Sequence, residues 1–140
     1  MEDFTAEHVD YRHFVNVVCM KTNGGRVPLL AVCHKYDRKE LIEPWENTYD
    51  LVSRWFQMHN DIRDWKKDLS HRTATYFLSE ALQGRRAGES VAEWVAREGF
   101  LWGLELLESW LSDAQGCHPG SCRLHNRDPV GRCQFSSGSE

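Results

Sequence analysis

Trp55-Phe56-Gln57-Met58-His59-Asn60-Asp61-Ile62-Arg63-Asp64-Trp65-Lys66-Lys67-Asp68-Leu69 is the stretch that decides how this chain folds. At about 100° per residue, with Asn60 as reference, Asp64 falls near 40°, Gln57 near 60°, Asp68 near 80° and Asp61 near 100°. Five oxygen-bearing side chains therefore share one stripe of a helix. On the same wheel Leu51, Trp55, Met58, Ile62, Trp65 and Leu69 gather at roughly 140 to 220°, an apolar back to the polar front. The reading is a packed amphipathic helix.

Working outward, the remaining segments also read as helical. Glu7 to Lys21 becomes apolar toward its end through Phe14, Val15, Val17, Val18 and Cys19, and Asn23-Gly24-Gly25 is expected to break it. Val27 to Tyr36 is a second helix, with Pro28 suited to a first turn, and Asp37 to Glu40 is a connector. The long helix then runs from Glu43 or Pro44 to Asp68. A polar break at Ser70 to Thr73 precedes a short helix, Tyr76 to Gln83, and Gly84 to Glu89 forms a loop. Ser90-Val91-Ala92-Glu93 has the form of a capping box opening a further helix. Gly99 is expected to bend or end that helix, Leu101, Leu104, Leu107, Trp110 and Leu111 make a helical apolar stripe beyond it, and Trp102, Leu104 and Trp110 are read as core. The fold class is all-α, with a domain over 1–115 and a poorly ordered Cys-, Gly- and Ser-containing tail over 116–140.

The 140-residue length suits one domain, and the net charge of −4 gives no reason to expect a nucleic-acid partner. No apolar run reaches the roughly 18 residues of a membrane span, and the polar start lacks the features of a signal peptide. With five cysteines, an odd number, and with Cys19 and Cys33 in apolar segments, a reducing, cytoplasmic setting is expected rather than a disulfide framework. Cys117, His118, Cys122, His125 and Cys133 do not have the spacing of a compact zinc motif, so they are assigned to the tail.

A stripe of carboxylates at i, i+4 and i+8 has a chemical use. Mg²⁺ prefers oxygen ligands, keeps several waters and is usually held by one or two carboxylates together with substrate phosphates. The competing reading is a solvated polar face, helped by Arg63 and Lys67.

Context favours the first reading. Phe56-Gln57-Met58-His59-Asn60-Asp61-Ile62-Arg63-Asp64 resembles the Phe-Gln-x-x-Asp-Asp-x-x-Asp second aspartate-rich motif of trans-isoprenyl diphosphate synthases. Lys21-Thr22 resembles that family's Lys-Thr pair, and Asp68 to Tyr76 resembles its segment of aspartate, basic residue and Thr-Tyr. Asn60, Asp64, Lys67 and Asp68 are also similar to the terpene cyclase metal motif, and Gln57, Asn60, Arg63, Asp64 and Asp68 to the squalene and phytoene synthase pattern. The resemblance to the class I isoprenoid synthase superfamily covers residues 11 to 80.

This resemblance implies an all-α helical bundle and Mg²⁺-assisted ionisation of an allylic isoprenoid diphosphate. It makes Asn60, Asp61, Asp64 and Asp68 candidates for the metal and Lys21, Gln57 and Arg72 candidates for substrate binding. Asn60 stands where the prenyltransferase motif has its first aspartate, which favours a cyclase-like or variant branch. The first aspartate-rich motif has no counterpart before Lys21. The chain thus resembles the C-terminal half of a synthase, expected to be inactive alone and to pair with a missing N-terminal half or with itself. Such a half would expose an apolar face, with Trp45, Trp55 and Trp102 as contributors. The alternative is a non-catalytic helical interaction module derived from the same fold.

Overall fold

The computed structural model describes residues 8–116, all helices and connecting turns, with no strand among them. The first helix, α1, opens at Tyr11–His13, where the Asp10 carboxylate accepts the His13 amide at 2.6 Å. That bond satisfies one of the amides a helix start leaves unpaired. The helix then widens to a π-helical turn over Phe14–Val18 and tightens to a 3₁₀ segment over Cys19–Gly25. Asn23-Gly24-Gly25 therefore does not open a loop. The chain stays helical and passes directly into α2, Arg26–Lys35. Gly25 is needed there because a side chain would collide with the Tyr49 ring. Arg26 pairs with Asp50 and lies over Tyr49, tying the start of α2 to the next helix.

After a turn at Asp37 and a 3₁₀ turn at Lys39–Leu41, the helix α3 runs from Ile42 to Ser70. Its 29 residues span about 43 Å. Pro44 lies in its first turn, where no backbone bond is lost. The apolar arc read from the sequence is the buried one: Leu51, Met58, Ile62 and Trp65 are buried, and Trp55 and Leu69 pack against the same core. The chain reverses at His71 and Arg72, and the Thr75 hydroxyl accepts the Leu78 amide to start α4, Tyr76–Gly84. Ser90 and Glu93 form the expected capping box at the head of α5, Val91–Trp94. Glu89 in the preceding loop accepts two bonds from Arg97, at 2.6 and 2.9 Å, which draws its carboxyl down to about 2 and pins the loop to the helix that follows.

Gly99 bends the helix without ending it. A π turn over Val95–Gly99 leads straight into α6, Phe100–Gly116. Glycine at this point follows from packing: a side chain at position 99 would lie 2.5 Å from the Trp94 ring and 3.3 Å from Phe77. α6 lies along α3 in the opposite direction, with Gly103 against Ile62 and Trp110 near Leu51 and Trp55. Phe14, Tyr76, Phe77, Trp94, Trp102 and Trp110 form a linked series of ring contacts through the core. Cys19 and Cys33 are buried as small core residues, and burial pushes the Cys19 thiol up to about 12.

One expectation is corrected. Of Trp102, Leu104 and Trp110, read as core, Trp110 is buried and Trp102 half-buried, whereas Leu104 is exposed, as are Leu101 and Leu111 of the same helix. No described helix covers Leu101 or Leu104, and Leu111 lines an open groove against α3. Among the expected aromatic contributors to an apolar face, Trp45 is exposed, and Trp55 and Trp102 are half-buried. The tail beyond Gly116, with its cysteines and histidines, lies outside the described residues, and no helix among those described is long and apolar enough to cross a membrane.

Because the Trp94 ring has no room to retreat from a larger residue at position 99, Gly99→Val is expected to cost about 2 kcal/mol by overpacking. Gly24→Ala, which meets nothing within 4 Å, should stay close to the parent. Urea unfolding of the two variants checks the contrast.

Candidate functional site

All five members of the stripe lie on α3, but the tertiary structure divides them. Asp61, the member nearest the apolar arc on the wheel, is only 4% exposed. It accepts a hydrogen bond from Gln57 Nε2 at 2.9 Å and one from the backbone N–H of Tyr76, the first residue of α4. Burial pushes its carboxyl up to about 7. The Gln57 bond opposes the shift, the nearby Asp68 adds to it, the Tyr76 amide opposes it, and Asp64 adds to it. Asp61 and Gln57 thus form an internal bracket that ties the body of α3 to the start of α4. The sequence signal for this was the wheel position of Asp61, about 40° from the edge of the apolar arc.

Asn60 is exposed, and Asp64 and Asp68 are half-exposed one helical turn apart. Arg63 donates to both oxygens of Asp64 at 3.0 and 3.1 Å, and these bonds hold the Asp64 carboxyl below its usual range. Partial burial raises Asp68, and the neighbouring Asp64 raises it further, while Lys67 and His71 oppose. The two carboxylates are therefore close enough to feel each other's charge. The role of Arg63 as a clamp on Asp64 is visible only in the structure.

The substrate candidates are less closely assembled. Lys21 is exposed on the 3₁₀ segment Cys19–Gly25, which packs against α3. Its neighbour two residues earlier, Cys19, lies within electrostatic reach of Asp61 and Arg54. Arg72 follows the stripe in the turn after α3, exposed and in the left-handed backbone region at φ 55°. Such a conformation is uncommon for a residue with a side chain. The turn is held by the Thr73 amide donating to the Asp68 carbonyl at 2.9 Å and the Arg72 amide donating to the Leu69 carbonyl at 3.2 Å.

No group of three or more His, Cys, Asp or Glu side chains converges among the described residues. What α3 offers to a divalent cation is the pair Asp64 and Asp68 with the Asn60 amide beside it. That donor set fits Mg²⁺ completed by water and phosphate oxygens, and it does not fit a cation enclosed by protein ligands alone.

A second feature adjoins the stripe. Phe56, one turn before Asn60, is 56% exposed and lines an apolar groove of about 230 Å³ between α3 and α6 with Leu51, Val52, Trp55, Trp110 and Leu111. The sequence showed these residues as apolar, but which of them face a groove depended on where α6 lies.

No protein-family model, curated protein or solved structure matches the chain. The resemblance over residues 11 to 80 therefore rests on its motif residues.

The Asp61 bracket sets a pH dependence. The folded chain holds this carboxyl protonated up to about 7, whereas the unfolded chain releases the proton near 3.8. Below 3.8 the group contributes no difference; between 3.8 and 7 the folded state binds more protons, so stability falls as pH rises. Asp61→Asn should match the parent near pH 4 and exceed it at pH 8 by up to about 4 kcal/mol, flattening the decline. Thermal unfolding of both proteins across that range measures the effect; an unchanged slope in the variant would sink the assignment.

Proposed function

We propose that this chain supplies one wall of a class I isoprenoid synthase site, acting on an allylic diphosphate with Mg²⁺ and requiring the half of the domain that carries the other metal motif. The observation that carries this reading is the change of character along one face of α3. The exposed Phe56 in the apolar groove gives way within one turn to Asn60, and then to Asp64 and Asp68. A ligand with a hydrocarbon part and a diphosphate head has the same division.

In this reading Asn60, Asp64 and Asp68 hold the metal, and Asp61 with Gln57 sets their helix against α4. Bound Mg²⁺ would supply neutralisation of diphosphate charge and so favour departure of the leaving group. Arg63 keeps Asp64 ionised beforehand and has to release it when a cation arrives. Lys21 and Arg72 provide cationic contacts for the diphosphate, Lys21 as a mobile point charge. The groove receives the apolar part of the substrate.

A second reading, a non-catalytic helical interaction module, is favoured by one specific observation: Arg63 already satisfies Asp64 without a cation. Titration calorimetry of the chain with its upstream half against Mg²⁺-pyrophosphate separates the two. Metal-dependent binding that weakens by about 100-fold or more in Asp64→Ala/Asp68→Ala, roughly 3 kcal/mol, is expected of the synthase. Binding that ignores both Mg²⁺ and the substitutions belongs to the module.

A further inference from the structure

The exposed side of α6 is organised. Measured from Leu104 at about 100° per residue, Phe100 lies near −40°, Leu111 near −20°, Glu108 near 40°, Leu101 near 60° and Glu105 near 100°. Phe100, Leu101, Leu104 and Leu111 are between 45 and 63% exposed, an apolar strip on the outside of a helix whose other side is already buried. Leu111 also lines the groove, so strip and groove are continuous, and Val52 and Phe56 of α3 extend the apolar surface across it. Contiguous exposed apolar surface of this kind marks a place where another element packs.

The charge along this strip has one sign. From Glu98 to Asp113 the charged residues are Glu98, Glu105, Glu108 and Asp113, with no Lys, Arg or His. Glu108 lies within the strip, between Leu104 and Leu101 on the wheel, and Glu105 borders it on the side away from the groove. Of the cations on the side of α3 that carries Val52 and Phe56, Arg63 is engaged by Asp64 and Lys66 lies over the Trp65 ring, whereas the strip of α6 carries only acidic residues.

We propose that the α3–α6 groove and the leucine strip of α6 are the docking surface for an amphipathic helix whose apolar stripe is accompanied by Lys or Arg where it meets Glu105 and Glu108. Helix-in-groove recognition uses apolar anchors at i, i+3, i+4 and i+7, and charges along the edge select orientation and exclude wrong partners. In the synthase reading this helix belongs to the complementary half of the domain. The surface chemistry does not depend on the metal, so either inference can fail without the other.

The test uses the full chain and two synthetic helical peptides about five turns long, one of leucine and lysine and one of leucine and glutamate, without Mg²⁺. Fluorescence of Trp55 and Trp110 reports binding. The leucine–lysine peptide is expected to bind at least about tenfold more tightly than its acidic counterpart. Leu104→Ser/Leu111→Ser should weaken it about tenfold, and Glu105→Lys/Glu108→Lys should reverse the preference between peptides. All four residues are exposed, and circular dichroism verifies that the variants keep their helices. Glu43→Lys/Glu46→Lys, the same charge change at the start of α3, should leave the preference intact. Equal binding of the two peptides overturns the proposal, as does an equal effect of the control reversal. Sedimentation of the free chain as a dimer that Leu104→Glu dissociates overturns it as well, because the occupant is then a second copy.

Discussion

Everything described depends on the burial of one arc of α3. A helix of about 43 Å with apolar residues confined to one side has a single way of leaving water, which is to be covered on that side. The helices that cover it differ in what they bring. α6 covers it through Gly103 and Trp110, the 3₁₀ segment before α2 packs alongside, and α4 packs back against it with the Tyr76 amide donated to Asp61. Burying Leu51, Met58, Ile62 and Trp65 in this way leaves Asn60, Asp64 and Phe56 facing outward. The candidate site is the uncovered remainder of the helix that organises the core.

That arrangement places opposing electrostatic demands within two turns. Asp61 is desolvated, which pushes its carboxyl up to about 7, while an amide side chain and a backbone N–H donate to it and oppose that shift. Asp64, three residues on, is kept ionised by Arg63. The two carboxylates thus differ because Asp61, about 40° from the edge of the apolar arc, is covered by the start of α4, whereas Asp64, roughly 60° further round, is not. The buried one shapes the connection between helices, and the exposed one remains available to ligands.

Much of the fold was legible in the residues. The apolar period of α3, the capping box at Ser90 and Glu93, and the polar break after Ser70 are local signals, and they correspond to elements of the structure. Two local signals were outweighed by packing. Asn23-Gly24-Gly25 reads as a break, yet the chain continues in 3₁₀ form because α2 is held close against Tyr49 and Asp50. Leu101, Leu104 and Leu111 have the period of a core stripe, yet they are exposed because no described element lies over them.

The sequence by itself determined where the helices are and how the stripe from Gln57 to Asp68 is arranged around its own axis, since both follow from the 3.6-residue period. Only the tertiary structure decided which members of that stripe meet solvent. Wheel angles state a direction from the helix axis; whether that direction ends in water, in the α4 amide above Asp61 or in the groove beside Phe56 is set by neighbours far along the chain. Burial and charge state follow from those neighbours, which is why one spacing pattern yields an internal bracket at Asp61 and an exposed carboxylate pair at Asp64 and Asp68.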